Sequence, residues 1–391
     1  MQHAEQIAVA KRLLEFIETT STATSPTSYQ QPITEYIAPA TAALEQQRLF
    51  RDRPLCVGLS RDLPRAGSYQ THDLSGVPLL LVRDPDLQFR AYLNVCRHRG
   101  ARVAEKCGEA RGFTCPYHAW AYGLDGALIA RPDEGSFTDA PRSAPSLTAL
   151  PATEVAGMLW VRPTPGPAIT LELGALVPEL ASYQLQNFHP YASRELVRKM
   201  NWKLVVDTFL ESYHFCVLHR DSICSIFYHN LATFDGYGEH FRLVSPRKSI
   251  ATLPSHPPAD WQLLPHIVVI YVLFPNTVLV WQGAQIELWQ IFPGATPDES
   301  RLRLTLYTPA PASTDKARRH WDKNLELVLH VVENEDFPVG EGIQNGFHSK
   351  AQAWTTFGRN EPALSYFHHT LTAALAAEGC SAPATAARLA G

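Results

Sequence analysis

Apolar and polar positions divide the chain into two textures. In QHAEQIAVAKRLLEFIE, near the N-terminus, apolar residues recur at helical spacing among Glu5, Lys11, Arg12 and Glu15, which predicts an amphipathic helix. A stretch rich in Thr, Ser, Pro and Gln runs from about 21 to 45, and short strand signals separated by turns come after it. GVPLLLVRDPDLQFRAYLN reads as two strands around Asp84-Pro85-Asp86, and AYGLDGALIA as a hairpin whose Asp125-Gly126 turn favours a primed type. Residues 46–165 are therefore expected to form a small all-β domain. The helical N-terminal segment, 1–45, is expected to pack on the larger domain, 166–391.

From Glu195 the elements lengthen. A helix is expected near NWKLVVDTFLESYHF, then strands at 266–274, 277–282, 285–292 and 301–308. HIVVIYVLF is too short to span a bilayer and too rich in β-branched residues to be a helix, so it reads as a buried strand. RLRLTLYT places Leu302, Leu304 and Leu306 on one face and Arg301, Arg303 and Thr305 on the other, as in a sheet with one wet side. A long helix begins at Ser313 or Thr314, both good N-caps, and runs through DKARRHWDKNLELVLHVVENE. A last helix covers about 361–378, running into an Ala-rich tail after Ala373 that is expected to fray. The fold class is α+β: the small all-β domain plus the larger domain, built on a mostly antiparallel sheet.

Composition narrows the function. With 391 residues, 45% hydrophobic, 18% charged and a formal net charge of -4, the chain has the profile of an ordinary soluble protein. Nothing electrostatic points to nucleic acid or an anionic membrane, so a small-molecule ligand is expected. The charged N-terminal pattern is not that of a signal peptide, which points to the cytoplasm. Seven cysteines at irregular spacing argue against a disulfide framework and for thiols used as ligands or core filler.

The stretch CRHRGARVAEKCGEARGFTCPYH holds a first constellation. Cys96-x-His98 and Cys115-x2-His118 are separated by sixteen residues, and each half offers one thiolate and one imidazole. A structural zinc site tends to take two cysteines from one turn and two histidines from another. Two adjacent irons instead let each loop give its Cys to one and its His to the other, the distribution of a Rieske [2Fe-2S] cluster. Cys107 is out of phase with both halves. A zinc-ribbon-like structural site is the alternative.

The helix NWKLVVDTFLESYHFCVLH holds a second. Asp207, Glu211 and His214 fall at i, i+4 and i+7 on one stripe, and neighbouring carboxylates there call for cations or hydrogen bonds. His219 would point about 140° away from His214 on a regular helix, so both can bind one ion only if the helix ends or bulges between them. A non-haem Fe(II) needs one further carboxylate. Asp336, in VENEDFPVG and in register with Leu325, Leu329 and Val332, is the candidate; Glu335, about 100° away, is the fallback. The alternatives are core or surface histidines, and for Asp207 an ion pair with Lys203.

Together these motifs, with Asn94, Arg99-Gly100, Pro116-Tyr117, NWK, D-x3-E-x2-H-x4-H and the later ED with Gln344, resemble the Rieske non-haem iron oxygenases, the ring-hydroxylating α-subunit type. The resemblance implies a helix-grip, START-like catalytic domain, a [2Fe-2S] cluster, a mononuclear Fe(II) and the activation of dioxygen for attack on a small organic substrate. It also implies a head-to-tail homotrimer in which His118 faces Glu211 of the partner subunit and Glu211 reaches its own His214, with Asp207 in the relay. No G-x-G-x-x-G or P-loop pattern occurs, so a separate NAD(P)H-dependent reductase must deliver electrons, directly or through a ferredoxin. Aromatic substrates are usual in the family, but ESYH resembles members acting on quaternary ammonium compounds. Ala119 stands where the family usually has Gly. Phe215, Trp281, Trp289 and Phe347 are candidate pocket walls, and Glu287 reads as a solvated sheet position with cation selection as the alternative. Two rivals remain: a Rieske electron carrier and a zinc-stapled ligand-binding module.

Overall fold

The computed structural model describes residues 1–137 and 146–376. The Ala-rich tail beyond Ala376 lies outside the described residues. The chain divides into two units. One comprises Phe50–Leu171 with Gln184–Asn187, the other Met1–Leu49, Glu172–Tyr183 and the residues from Phe188 onward. The first changeover comes after Leu49 because the helix Pro39–Arg48 belongs to the larger unit. Its buried Glu45 accepts a hydrogen bond from Trp202 Nε1 at 2.8 Å and pairs with the buried Lys203.

The smaller unit is all-β. Leu79–Arg83 and Phe89–Leu93 pair antiparallel within a five-stranded sheet, and Asp84 fixes the turn by accepting from the backbone N–H of Asp86 and Gln88 at 2.9 and 2.8 Å. Two three-stranded sheets complete it. The hairpin joining Ala121–Tyr122 to Leu128–Ala130 is present, but of its turn residues only Gly126 takes positive φ, at 80°. A primed turn of type I′ needs two such residues, so that expectation is corrected.

In the larger unit α1 (His3–Thr19) buries Val9, Ala10 and Leu13. The sheet has seven antiparallel strands: β1 (His189–Arg198), β2 (Thr233–Tyr237), β3 (His240–Pro246), β4 (Ile267–Leu273), β5 (Thr277–Gln282), β6 (Gln285–Pro293) and β7 (Ser300–Thr308). They run in the order β1-β7-β6-β5-β4-β3-β2. The long link from β1 to β2 carries α2 (Trp202–Asp207) and α3 (Phe215–Leu218). After β7 come α4 (Asp315–Val331), α5 (Phe337–His348) and α6 (Pro362–Ala376). Thr314 is the N-cap of α4, its hydroxyl accepting from Ala317 N at 3.1 Å.

Strand β7 ends opposite the start of β1, so α4 must travel back along the sheet before its C-terminal end meets the segment after β1. The Arg198–Glu333 ion pair marks that meeting. The wet side expected of the sheet is limited. Thr305 is buried, Arg303 is held to Glu195 at 2.6 Å, and β6 is buried along both faces up to Pro293. Among the described residues no helix is long and apolar enough to cross a membrane.

Candidate functional site

Two loops of the smaller unit are folded alike. The backbone N–H of Cys96 donates to Ala101 O at 2.7 Å and its carbonyl accepts from Gly100 N; Cys115 N donates to Trp120 O at 2.8 Å and its carbonyl accepts from Ala119 N. Gly100 and Ala119 thus occupy equivalent positions, and both are left-handed, at φ 84° and 57°. The shared geometry explains why glycine suits position 119, where Ala carries a steric cost of about 1 kcal/mol.

The loops sort their donors by type. The imidazoles of His98 and His118 face one another with ring centroids 4.6 Å apart, and both Nδ1 atoms are buried without a hydrogen-bond partner among the described residues. Cys96 and Cys115 are buried, free thiols. Burial pushes the Cys96 thiol up, but the Tyr122 hydroxyl at 3.4 Å, the backbone N–H groups of His98 and Arg99 and the Cys115 thiol outweigh it and hold it below the ordinary thiol value. A sulfur pair and an imidazole pair with orphaned nitrogens fit a cluster with one all-sulfur iron and one doubly histidine-ligated iron. Cys107 is exposed on a separate strand, paired with Gln70.

In the larger unit the expected single stripe does not form. Helix α2 ends at Asp207, and Phe209 and Leu210 turn back onto Val206 and Asp207, so Asp207, Glu211 and His214 do not share one helical face. At the break the Asp207 carboxylate accepts from Tyr36 Oη at 2.9 Å and meets His368 Nε2 at 3.0 Å. Lys203, its suggested partner, is taken by Glu45 instead. Glu211 belongs to the next turn, where its carboxylate accepts from the backbone N–H of Tyr213 and His214 and contacts His214 Nδ1.

Helix α3 stops at Leu218, leaving His219 at its C-cap with φ -97° and ψ 27°, as the five-residue spacing requires. The structure therefore brings the two Nε2 atoms to one carboxylate oxygen: Asp336 Oδ1 lies 3.1 Å from His219 and 3.6 Å from His214. Such separations suit neighbouring ligands around one cation with bonds of about 2.1 Å. Among the described residues these three alone form a compact single-ion cluster, with donor atoms within 4.8 Å of one another. Two imidazoles and one carboxylate are the donor set of a non-haem Fe(II) site.

A π-helical turn, Val332–Asp336, ends α4 and has no signature in the apolar spacing. By widening the helix it lets two successive carboxylates reach the same imidazole. Asp336 faces His219 Nε2, and Glu335 Oε2 lies 2.6 Å from His219 Nδ1 while accepting from Ser222 Oγ at 2.7 Å. Glu335, the fallback ligand, is thus a holder of His219, as Glu211 is of His214. Burial draws the His219 pKa down, but Asp336 and Glu335 override it and raise it, so the cluster attracts positive charge. The tight turn after His219 also joins Cys216 to Cys224 in a disulfide, against the reading of these cysteines as ligands or core filler.

A cavity of about 180 Å³ opens beside the three candidate ligands, between β4–β6 and α4. Of the four aromatic residues singled out in the sequence only Phe215 lines it. Trp281 packs on Tyr183, Trp289 on Phe209, and Phe347 on Tyr36. Phe209 and Phe227 line it unforeseen. Glu287 is no solvated position: 3% exposed, it faces the cavity from β6 with Arg247, Gln282 and Gln285 nearby on the same wall.

Comparison with known proteins matches residues 53–149 to the Rieske [2Fe-2S] domain and residues 185–377 to the ring-hydroxylating α-subunit catalytic domain. The glycine betaine monooxygenase oxygenase subunit of Chromohalobacter salexigens is 35% identical over 205 residues, 51% of this chain and 44% of that one. The carnitine monooxygenase oxygenase subunit of Escherichia coli K12 is 34% identical over 181 residues, 44% of this chain and 46% of its own. The chain thus spans less than half the length of these curated relatives. A quaternary ammonium Rieske monooxygenase solved with L-carnitine superposes with a TM-score of 0.76 over 90% of this chain and 96% of that one, at 20% identity, a likeness of fold.

Proposed function

The chain belongs to the Rieske-type ring-hydroxylating oxygenase α-subunit family, and on that footing we propose that it is the oxygenase component of a multicomponent monooxygenase acting on a small quaternary ammonium compound. The observation that carries this reading is the convergence of His214 and His219 Nε2 on Asp336 Oδ1 in the lining of a cavity of about 180 Å³. The named activities of the quaternary ammonium relatives and the charged groups on the cavity wall favour this substrate class over a neutral aromatic ring.

Bound at these residues, the [2Fe-2S] cluster supplies electrons and Fe(II) supplies dioxygen activation. The chain's own side chains do the rest. Glu211 and Glu335 each take the Nδ1–H of one ligand histidine, which fixes the tautomer and turns the Nε2 lone pair toward the ion. Asp336 supplies the anionic ligand. Asp207, held between Tyr36 and His368, is the further carboxylate assigned to the relay that includes Glu211. Phe209, Phe215 and Phe227, with aliphatic residues of β4, β5 and α4, present faces that exclude water from the substrate.

Electrons enter from a separate NAD(P)H-dependent reductase, and in the proposed homotrimer they cross from His118 to Glu211 of the partner subunit. Inter-subunit transfer is described for the structural relative. The test is substrate-dependent oxygen uptake with a surrogate reductase, alongside metal analysis and the visible spectrum. A colourless protein holding zinc would overturn the reading.

A further inference from the structure

The lining of the cavity carries two charges that the chemistry above does not use. Glu287, on β6, is 3% exposed and among the described residues receives two long hydrogen bonds from neutral donors, Trp289 Nε1 at 3.2 Å and Gln285 Nε2 at 3.4 Å. Arg247, just after β3, is half-buried. Its Nη2 donates to Gln282 Oε1 at 2.8 Å, its guanidinium lies over the Phe227 ring at 5.2 Å, and its Nε is buried without a partner. Among the described residues neither forms an ion pair, although each senses the other's charge.

Burial without a partner is costly for a carboxylate and for a guanidinium alike. Burial pushes the Glu287 carboxyl up to about 7 and lowers Arg247, so desolvation opposes both charges and a ligand of opposite charge relieves that cost. Proteins that hold two unpaired opposite charges in one cavity present a complement to a ligand bearing both. Phe209, which also lines the cavity, packs on Trp289, the indole that donates to Glu287, and adds an aromatic face for a methylated cation.

Resting on the oxygenase reading above, we propose that Arg247 and Glu287 select a zwitterion, Arg247 binding the substrate's carboxylate and Glu287 facing its fixed quaternary ammonium charge. Glu287 attracts the cation without a hydrogen bond, since a trimethylammonium group has no N–H to donate. Arg247 offers its carboxylate partner two N–H groups of one planar fork.

The test uses the iron-loaded protein and three probes of nearly one shape, measured by titration calorimetry: glycine betaine with both charges, choline with the cation alone, and tert-butylacetate with the anion alone. Wild type should bind glycine betaine about 30-fold or more tighter than either single-charge probe, the penalty for leaving one buried charge unmatched. Glu287→Gln should weaken glycine betaine and choline but spare tert-butylacetate; Arg247→Met should weaken glycine betaine and tert-butylacetate but spare choline. Retained cluster absorbance and iron content show that each variant is folded. A uniform loss across all three probes, an unchanged pattern, or a wild type that binds none of them overturns the proposal. If wild type ignores these probes yet consumes oxygen with an aromatic hydrocarbon, the zwitterion reading fails together with the quaternary ammonium substrate, while the oxygenase reading stands. If no substrate drives oxygen uptake and the site holds zinc, the oxygenase reading fails with it.

Discussion

Replacing Glu287 by glutamine isolates what an unpaired carboxylate does to this fold. In the native chain burial raises the Glu287 carboxyl from its ordinary 4.5 to about 7, against the weaker pull of Trp289, Gln285 and Arg247. The unfolded chain titrates at the ordinary value. Between these two pH values the native state holds the extra proton, so stability falls as pH rises through the window, and the loss is complete above about 7. A difference of about 2.5 units at about 1.4 kcal/mol each amounts to about 3 kcal/mol. Glutamine keeps the shape and cannot ionise. Glu287→Gln should therefore be near neutral at about pH 5 and should stabilise the ligand-free, iron-loaded protein by up to about 3 kcal/mol at about pH 8.5. Denaturant unfolding at both pH values, with an unchanged slope, reads this directly. A stability difference that does not vary with pH would mean that the carboxylate is hydrated or paired, and no unmatched charge would then face the cavity.

Metal content gives the next expectations. Asp336→Ala or His219→Ala should lower the iron of a fully loaded chain from about three atoms to about two while leaving the cluster spectrum intact; iron lost in proportion from both centres would contradict separate sites. Cys96→Ser should abolish the visible absorption of the cluster, and a variant that keeps its colour would remove Cys96 from the ligand set. Glu335→Gln should weaken the single-ion site about 10- to 100-fold in a chelator competition, as expected when the partner of a ligating imidazole is lost, and unchanged retention would deny Glu335 that role. Ala119→Gly should raise stability by up to about 1 kcal/mol by relieving a left-handed alanine; destabilisation would mean the methyl packs usefully.

Much of both candidate metal sites was visible in the sequence because ligands come in short patterns whose spacing is set by the loop that bears them. Cys96, His98, Cys115 and His118 needed no knowledge of distant contacts, and the five-residue step from His214 to His219 required a helix end that the structure contains. What escaped was set by partners far away along the chain. The apolar period runs on past Asp207, yet Tyr36 and His368, both remote in sequence, hold that carboxylate where the helix stops. Counting regular turns directs Glu335 away from the ion, and a π turn adds the residue that brings it to His219. Alternation placed Glu287 on the opposite face from its apolar neighbours. It could not tell that the opposite face looks into a cavity.

Helix α4 carries Asn324, Leu327, Val328 and Val331 along the cavity before delivering Asp336 to the histidines. At about 1.5 Å per residue, Asn324 stands roughly 18 Å up the axis from the ligand. One rod is thus both a graduated scale and the carrier of a candidate ion ligand. Trimming or lengthening side chains at its marks would change how long a molecule can be accommodated while the reactive end stays in register, which makes this helix the natural place to retune substrate length.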